Sequence, residues 1–302
     1  MSTPCIATVG TFDGVHNGHR DLIERMVAEG RRRGLPVRVI TFAEHPLSVL
    51  APERAPGLLC PRQRVGDMLA LPGVDSVSML HFTPELAALT AAEFMVMIRE
   101  RFGVQVLMMG YDNSFGSDRP AAPEAYQAIG LQAGVEVLAA PPYVTPGGRT
   151  PGSSAMRRAL ATGDMEAYAD MGGEWTYTAV SRPGRRLGRQ LGFPTVNLCF
   201  DPALQAPRRG VYFGSVTAGA DTYPAVVNVG TCPTVTDGSE TSLEAHILTP
   251  DPPVGYGDTV TVALRRHLRD ERRFGSVDEL RLAIAADVER AMQLVHPENV
   301  IK

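Results

Sequence analysis

The sequence predicts two modules: an α/β domain on a parallel sheet, followed by a small antiparallel β-barrel with a C-terminal helix. Three observations lead there. At 302 residues the chain exceeds what one hydrophobic core usually covers, so two domains of roughly 150 residues are expected. Up to Ala139, apolar strand-like runs alternate with amphipathic helical stretches, the rhythm of a parallel sheet covered on both faces. From Trp175 onward the pattern becomes short β-runs separated by turn residues.

In order, the first half offers strands at Cys5–Gly10, Pro36–Phe42, Val74–Leu80, Val104–Gly110 and Val135–Ala139. Helical patterns lie between them at Gly18–Arg33, Pro61–Ala70, Pro84–Arg101 and Ala122–Ala133. In such a sheet a ligand belongs at the C-terminal ends of the strands. A Pro/Gly-rich stretch, Pro141–Gly152, leads to helical segments at Ser153–Ala161 and Met165–Met171. The second half then reads as strands Trp175–Val180, Gly210–Val216, Tyr223–Val229, Ser242–Leu248 and Asp258–Leu268, closed by a helix at Val277–Val295. The boundary is placed near Gly172–Gly173, giving domains 1–172 and 173–302.

Hydrophobic residues at 44% and charged residues at 21% describe a chain that folds fully. A net charge of -4 argues against the broad basic surface that sequence-independent nucleic-acid binding needs. The first residues show neither a basic signal-peptide region nor a long apolar run, so a cytoplasmic protein without a membrane partner is expected. Cys5, Cys60, Cys199 and Cys232 are far apart and form no CxxC pair, which favours reduced thiols over a zinc site. Lys302 is the only lysine, so arginine supplies 28 of the 29 basic residues. Schiff-base chemistry and a lysine-based phosphate loop are thereby excluded.

The first chemical motif is Gly10-Thr11-Phe12-Asp13-Gly14-Val15-His16-Asn17-Gly18-His19, set between a strand and a helix. A glycine-interrupted turn at a helix N-terminus presents free backbone N–H groups and the positive end of the dipole, which suit phosphate. His16 and His19, charged or neutral, add donors that stabilise charge developing on a phosphate. The competing reading is a turn whose histidines only cap and pack. The run resembles the HxGH signature of nucleotidylyltransferases, in the form found in bacterial bifunctional riboflavin kinase/FMN adenylyltransferases (FAD synthetases). Thr41-Phe42-Ala43-Glu44-His45-Pro46 resembles that family's TFxPHP element, and Gly110–Gly116 its GxDFRFG loop. Ser153-Ser154-Ala155-Met156-Arg157 falls where the superfamily has STxIR. The resemblance implies an α/β, Rossmann-like adenylyltransferase domain. In it Gly10, Phe12, Gly18, Ser153, Ser154 and Arg157 contact ATP, His16 and His19 act on its phosphates, and Asp112 and Asn113 face the flavin. Glu44, Asn113-Ser114 and Ser154-Ala155 depart from the family pattern.

The second motif is Gly188-Arg189-Gln190-Leu191-Gly192-Phe193-Pro194-Thr195-Val196-Asn197. Alone it also reads as a turn entering an edge strand. It resembles the GRxLGFPTxN motif of riboflavin kinases, and further elements follow in family order: Gly210–Phe213, Asn228–Thr234, Leu243–Ile247, Tyr256–Asp258, Leu268–Phe274 and Asp287. The resemblance implies a riboflavin kinase barrel in which Gly188, Arg189, Thr195 and Asn197 bind ATP. Thr195 and Asn197 would also supply oxygens to Mg²⁺, and Arg269 would meet the flavin.

The two implied reactions need different help. A ribityl hydroxyl is barely ionised at neutral pH, so its phosphorylation needs a carboxylate base, for which Glu244 is the candidate. Taken alone, Glu244 reads better as a solvent-facing strand residue. FMN already carries a phosphate with a second pKa of about 6, so its adenylylation needs positioning and charge stabilisation instead. The expected path runs from riboflavin to FMN to FAD, with ATP as co-substrate and Mg²⁺ at both sites. The alternatives are a nucleotidylyltransferase for another phosphate ester, and a kinase-active chain whose first domain is a weak, altered-specificity or silent nucleotide- or flavin-binding module. Oligomeric state is left open.

Overall fold

The computed structural model describes residues 3–120, 122–184, 187–232, 240–250, 252 and 254–295. It forms two compact units, Met1–Ser153 with Asp170–Gly172, and Ser154–Ala169 with Gly173–Lys302. Pro233, Thr234 and Lys302 lie outside the described residues.

The first unit runs β1 (Cys5–Val9), α1 (Asn17–Arg33), β2 (Val37–Phe42), α2 (Pro46–Leu50), α3 (Arg62–Leu69), β3 (Ser76–Leu80), α4 (Pro84–Ala88), α5 (Ala91–Phe102), β4 (Val104–Met109), α6 (Pro123–Ala133) and β5 (Glu136–Ala139). The strands form one sheet in the order β3-β2-β1-β4-β5, every pair parallel. Parallel strands buried on both faces need apolar side chains in both directions, and β1 is buried at all five positions. Ala7, Val9, Ile40 and Leu107 pack with Phe94, Met95 and Ile98 of α5. The alternate residues Ile6, Val37, Val39 and Val106 pack with Ile23 and Met26 of α1 and Val65 and Leu69 of α3. The strand order reverses between β1 and β4, so the crevice beyond their C-terminal ends is where such a sheet binds ligands.

One helix expected over Pro84–Arg101 is two. Leu89 and Thr90 are extended (ψ 134° and 165°), and Thr90 opens α5 with a capping box closed by Glu93. The helix α2, capped by His45, was not anticipated.

The second unit holds most of α7 (Ser153–Thr162) and α8 (Met165–Asp170), then β6 (Thr176–Val180), α9 (Leu187–Gln190), β7 (Val196–Cys199), β8 (Gly210–Ala218), β9 (Asp221–Cys232), β10 (Glu240–Ile247), β11 (Thr259–Asp270) and α10 (Val277–Leu294). Six antiparallel strands follow the order β6-β11-β8-β9-β10-β7. The edges meet where the Arg182 amide donates to the Asn197 carbonyl at 2.9 Å, nearly closing the barrel. Tyr212, Val216, Val227, Val229, Leu243 and Ala245 fill its interior. The opposite face of β8 and β9 presents Val211, Phe213 and Val226 to Ala291 and Val288 of α10. Strand β7, which the sequence offered only as an edge strand after the Gly188–Asn197 turn, is four residues long and starts two residues after Pro194.

Candidate active sites

In the first unit the chain leaves β1 and turns through a strained loop before α1. Phe12, Gly14 and Val15 all have positive φ (49°, 81° and 37°), a region that glycine tolerates and a β-branched valine rarely enters. Such strain persists where surrounding structure enforces it, and functional loops concentrate it. The enforcement is visible here. Asp13, fully buried, accepts the Leu59 amide with both carboxylate oxygens at 3.0 and 3.2 Å. Arg62, at the start of α3 and 9% exposed, donates to the Thr11 carbonyl at 2.7 Å, to the Thr41 hydroxyl at 3.2 Å and to the Phe42 carbonyl. Its charge also faces Asp13, and Ser153 donates to the Asp13 carbonyl at 2.9 Å. Arg62 belongs to no motif and carries no sequence signal; only the fold brings it under the loop.

His16 is the N-cap of α1, and its Nδ1 accepts the His19 amide at 3.3 Å. With Nδ1 committed as acceptor, the neutral ring carries its proton on Nε2 and is a donor there. The His16 and His19 rings stack at 3.6 Å between centroids. Burial lowers the His16 pKa to about 4, and burial together with the neighbouring His16 holds His19 well below the ordinary range. The pair therefore works as neutral imidazoles, which decides between the two protonation states left open by the sequence. His19 Nδ1 is buried without a partner among the described residues, a polar atom that a ligand would satisfy. The Phe12 ring is 2% exposed and meets His19 edge-on, so Phe12 has only its backbone to offer a ligand. Ser154 and Arg157 sit further along α7, exposed and half-buried, in the second unit.

A cavity of about 600 Å³ opens beyond β1 and β4, lined by Gly10, Phe42, Leu50, Phe82, Asp112 and Asn113 among others. Asn113 Nδ2 donates to the Val9 carbonyl at 2.6 Å, fastening the loop after β4 to the end of β1, while Asp112 and Ser114 are exposed on the cavity's rim.

In the second unit, α9 and the following turn carry the Thr195 segment. Gly188 is required there by close approach: a Cβ on it would lie 2.4 Å from the Phe193 carbonyl oxygen, and the Phe193 amide donates back to Gly188 at 2.7 Å. Two cavities flank the segment. One, about 590 Å³, is lined by Arg189, Gly192, Thr195, Thr249 and Tyr256. The other, about 260 Å³, lies between the barrel wall and α10, with Leu191, Phe193, Asn228, Glu244, Arg269 and Ile284 in its lining. Glu244 thus lines a cavity even though it is exposed, and the ladder sets it opposite Asn197 on one side and Asn228 on the other. Arg269 is locked by Asp287, 2% exposed, through contacts of 2.7 to 3.0 Å.

The Thr195 hydroxyl and the Asn197 amide stand side by side, with Asn197 Nδ2 donating to Thr195 Oγ1 at 3.3 Å. No cluster of three or more His, Cys, Asp or Glu residues able to hold a metal occurs among the described residues. Two neutral oxygens suit a hard cation that brings most of its ligands as phosphate and water, the usual habit of Mg²⁺.

Neutral imidazole donors at a strained strand-to-helix turn in one unit, and a carboxylate beside a threonine–asparagine oxygen pair in the other, fit an ATP-using transferase with two catalytic modules. Comparison with known proteins makes the class specific. The FAD synthetase family profile matches residues 1–154, and the riboflavin kinase profile residues 171–295. Bifunctional riboflavin kinase/FMN adenylyltransferases are 36% identical over 94% of this chain and 90% of the protein from Escherichia coli K12, and 36% over 97% and 94% for that from Pseudomonas fluorescens. The crystal structure of a protein described as a macrolide-efflux protein from Streptococcus pneumoniae superposes with a TM-score of 0.84 at 29% identity, covering 97% of this chain and 95% of that one. No helix among the described residues here is long and apolar enough to cross a membrane. The chain belongs to the bifunctional riboflavin kinase/FMN adenylyltransferase family.

Proposed function

We propose that the chain converts riboflavin to FMN in domain 173–302 and FMN to FAD in domain 1–172, using one ATP for each step. The observation that carries the reading is the pair of cavities flanking Thr195, with Glu244 in the wall of the smaller and Arg189 in that of the larger. ATP occupies the larger, its phosphates reaching Gly188, Arg189, Thr195 and Asn197. Riboflavin occupies the smaller, its ring among Leu191, Phe193 and Ile284, with the locked Arg269 guanidinium as a polar edge. Glu244 accepts the proton of the ribityl hydroxyl as its oxygen bonds to the γ-phosphorus and ADP leaves. Mg²⁺, held through Thr195 and Asn197, supplies charge neutralisation on the phosphates when bound.

In the first unit the FMN phosphate attacks the α-phosphorus of ATP and pyrophosphate leaves. The α1 N-terminus, Gly10, the Phe12 backbone, Gly18, His16 Nε2–H and His19 hold the triphosphate oxygens, and Ser153 meets the leaving pyrophosphate. FMN lies in the cavity beyond β1 and β4, against Asp112 and Asn113.

The test is a time course with riboflavin, ATP and Mg²⁺, resolved chromatographically, on wild type and on His16→Ala and His19→Ala. FMN should appear first and FAD second. Each variant should slow FAD formation by about 10²–10³-fold, the range for a lost charge-stabilising donor, with phosphorylation unchanged. Wild-type protein that stops at FMN would refute the adenylylation half and leave the silent first-domain reading. No FMN would refute the kinase half.

A further inference from the structure

The two cavities that flank the Thr195 segment have Thr195 and His246 in common among their lining residues. His246 follows Glu244 by two positions on β10 and points to the same face, since Leu243, Ala245 and Ile247 are buried inside the barrel. The β10–β7 ladder pairs Glu244 with Asn197 and Ala245 with Val196, then stops. One step further in the same register would set His246 opposite Thr195. Where the backbone ladder ends, a side chain takes over: His246 Nδ1 lies 2.8 Å from the Pro194 carbonyl oxygen. A carbonyl only accepts, so Nδ1 carries a proton and donates. The Phe193 ring meets the imidazole edge-on, with centroids 5.4 Å apart.

We propose that His246 is a positioning residue for phosphoryl transfer, pinning the Phe193–Thr195 segment so that the Thr195 hydroxyl stays on the partition between nucleotide and acceptor cavities. The inference rests on the kinase reading above. A phosphoryl group passing from one cavity to the other must cross this partition, and Thr195 lines both cavities there. The Phe193 amide ties the segment to Gly188 on one side, Asn197 Nδ2 holds the Thr195 carbonyl at 3.1 Å and hydroxyl at 3.3 Å on the other, and His246 holds the Pro194 carbonyl between them. Losing the His246 tie lets the Pro194–Thr195 peptide shift while the remaining lining residues of both cavities stay in place. A displacement of about 1 Å at a reacting centre is enough to cost about 10²-fold in rate.

The experiment compares His246→Ala, His246→Asn and His246→Gln with wild type in the full-length chain. Asparagine places an amide N–H near the Nδ1 position, whereas glutamine places it near Nε2. His246→Ala should lower kcat for riboflavin phosphorylation by about 10²-fold with KM for riboflavin within about twofold, as expected when orientation is lost and binding is kept. His246→Asn should recover most of that loss and His246→Gln little of it. Adenylylation of supplied FMN should be unchanged throughout. If His246→Ala fails to fold, the asparagine–glutamine comparison decides alone. Equal rates for those two, or a wild-type rate in the alanine variant, would overturn the assignment. A wild type that forms no FMN would instead overturn the kinase reading.

Discussion

Acidification should destabilise the first unit through His16, by an amount the burial of that side chain sets. His16 is 6% exposed and its pKa is lowered from 6.5 to about 4 by burial. In the unfolded chain the ring takes its proton near pH ~6.5, while the folded ring stays neutral until about pH 4. Between those values the unfolded state binds the extra proton. Stability is therefore complete above the unfolded pKa and is lost as pH falls toward the folded one. A shift of that size at 1.36 kcal/mol per unit is about 3 kcal/mol. His19 is displaced in the same direction and adds to the loss. His16→Asn keeps an N-cap acceptor for the His19 amide and removes the titration. Its unfolding free energy, taken from urea titrations read by a brief deuterium pulse on peptides from β1 and β4, should match wild type near neutrality. It should also fall less on acidification, by about 3 kcal/mol between pH ~6.5 and ~4. Carboxylates common to both proteins cancel in the difference. Parallel pH curves would show that His16 is not held neutral by the fold.

Glu244→Gln should cut riboflavin phosphorylation by at least about 100-fold and leave adenylylation of supplied FMN intact; undiminished FMN production would remove Glu244 as the base. Arg269→Ala strands the buried Asp287 carboxylate, and breaking such a pair costs about 3–5 kcal/mol. The second unit should then melt about 10 °C or more lower, followed through Trp175, the sole tryptophan; a shift under about 2 °C would refute the cost. A fragment starting at Ser154 should resist urea better than one starting at Gly173, since Arg208 donates to the Leu160 carbonyl at 2.8 Å and Leu160 and Met156 are fully buried. Identical midpoints would place the boundary where the sequence put it, and a folded fragment inert toward riboflavin would refute the assignment of the kinase to this half.

What the sequence made legible is what periodicity and glycine placement encode. The five strands of the first unit and most of the barrel stand where alternation and apolar runs predict them, because a buried face leaves its period in the chain. Leu89 and Thr90 escaped because apolar residues keep a helical spacing across them; the break lies in the Thr90–Glu93 capping box, whose sequence form is common inside helices too. Strand β7 was offered only as an alternative to the motif reading, because four residues beside a proline leave too short an alternation to stand as a strand by themselves. Arg62 was invisible for a different reason: it acts through the backbone carbonyl of a remote segment, Thr11, and a carbonyl has no residue type to recognise. His246 stood inside the Leu243–Ile247 element, but its contact with the Pro194 carbonyl left no mark in the sequence for the same reason.

The same distinction explains the first site's chemistry. The loop Gly10–His19 contains one carboxylate, Asp13, to which the sequence assigned no catalytic role. The fold buries it completely, spends both oxygens on the Leu59 amide and sets the Arg62 charge against it. A carboxylate so occupied braces a strained turn and takes no proton from a substrate. With His16 and His19 also neutral and only weakly basic, the loop presents imidazole N–H donors and no free carboxylate. A phosphate oxygen already ionised near pH ~7 needs no base to act as a nucleophile. A ribityl hydroxyl is not ionised there, and on the proposed reading Glu244, exposed in the wall of the smaller cavity, takes its proton.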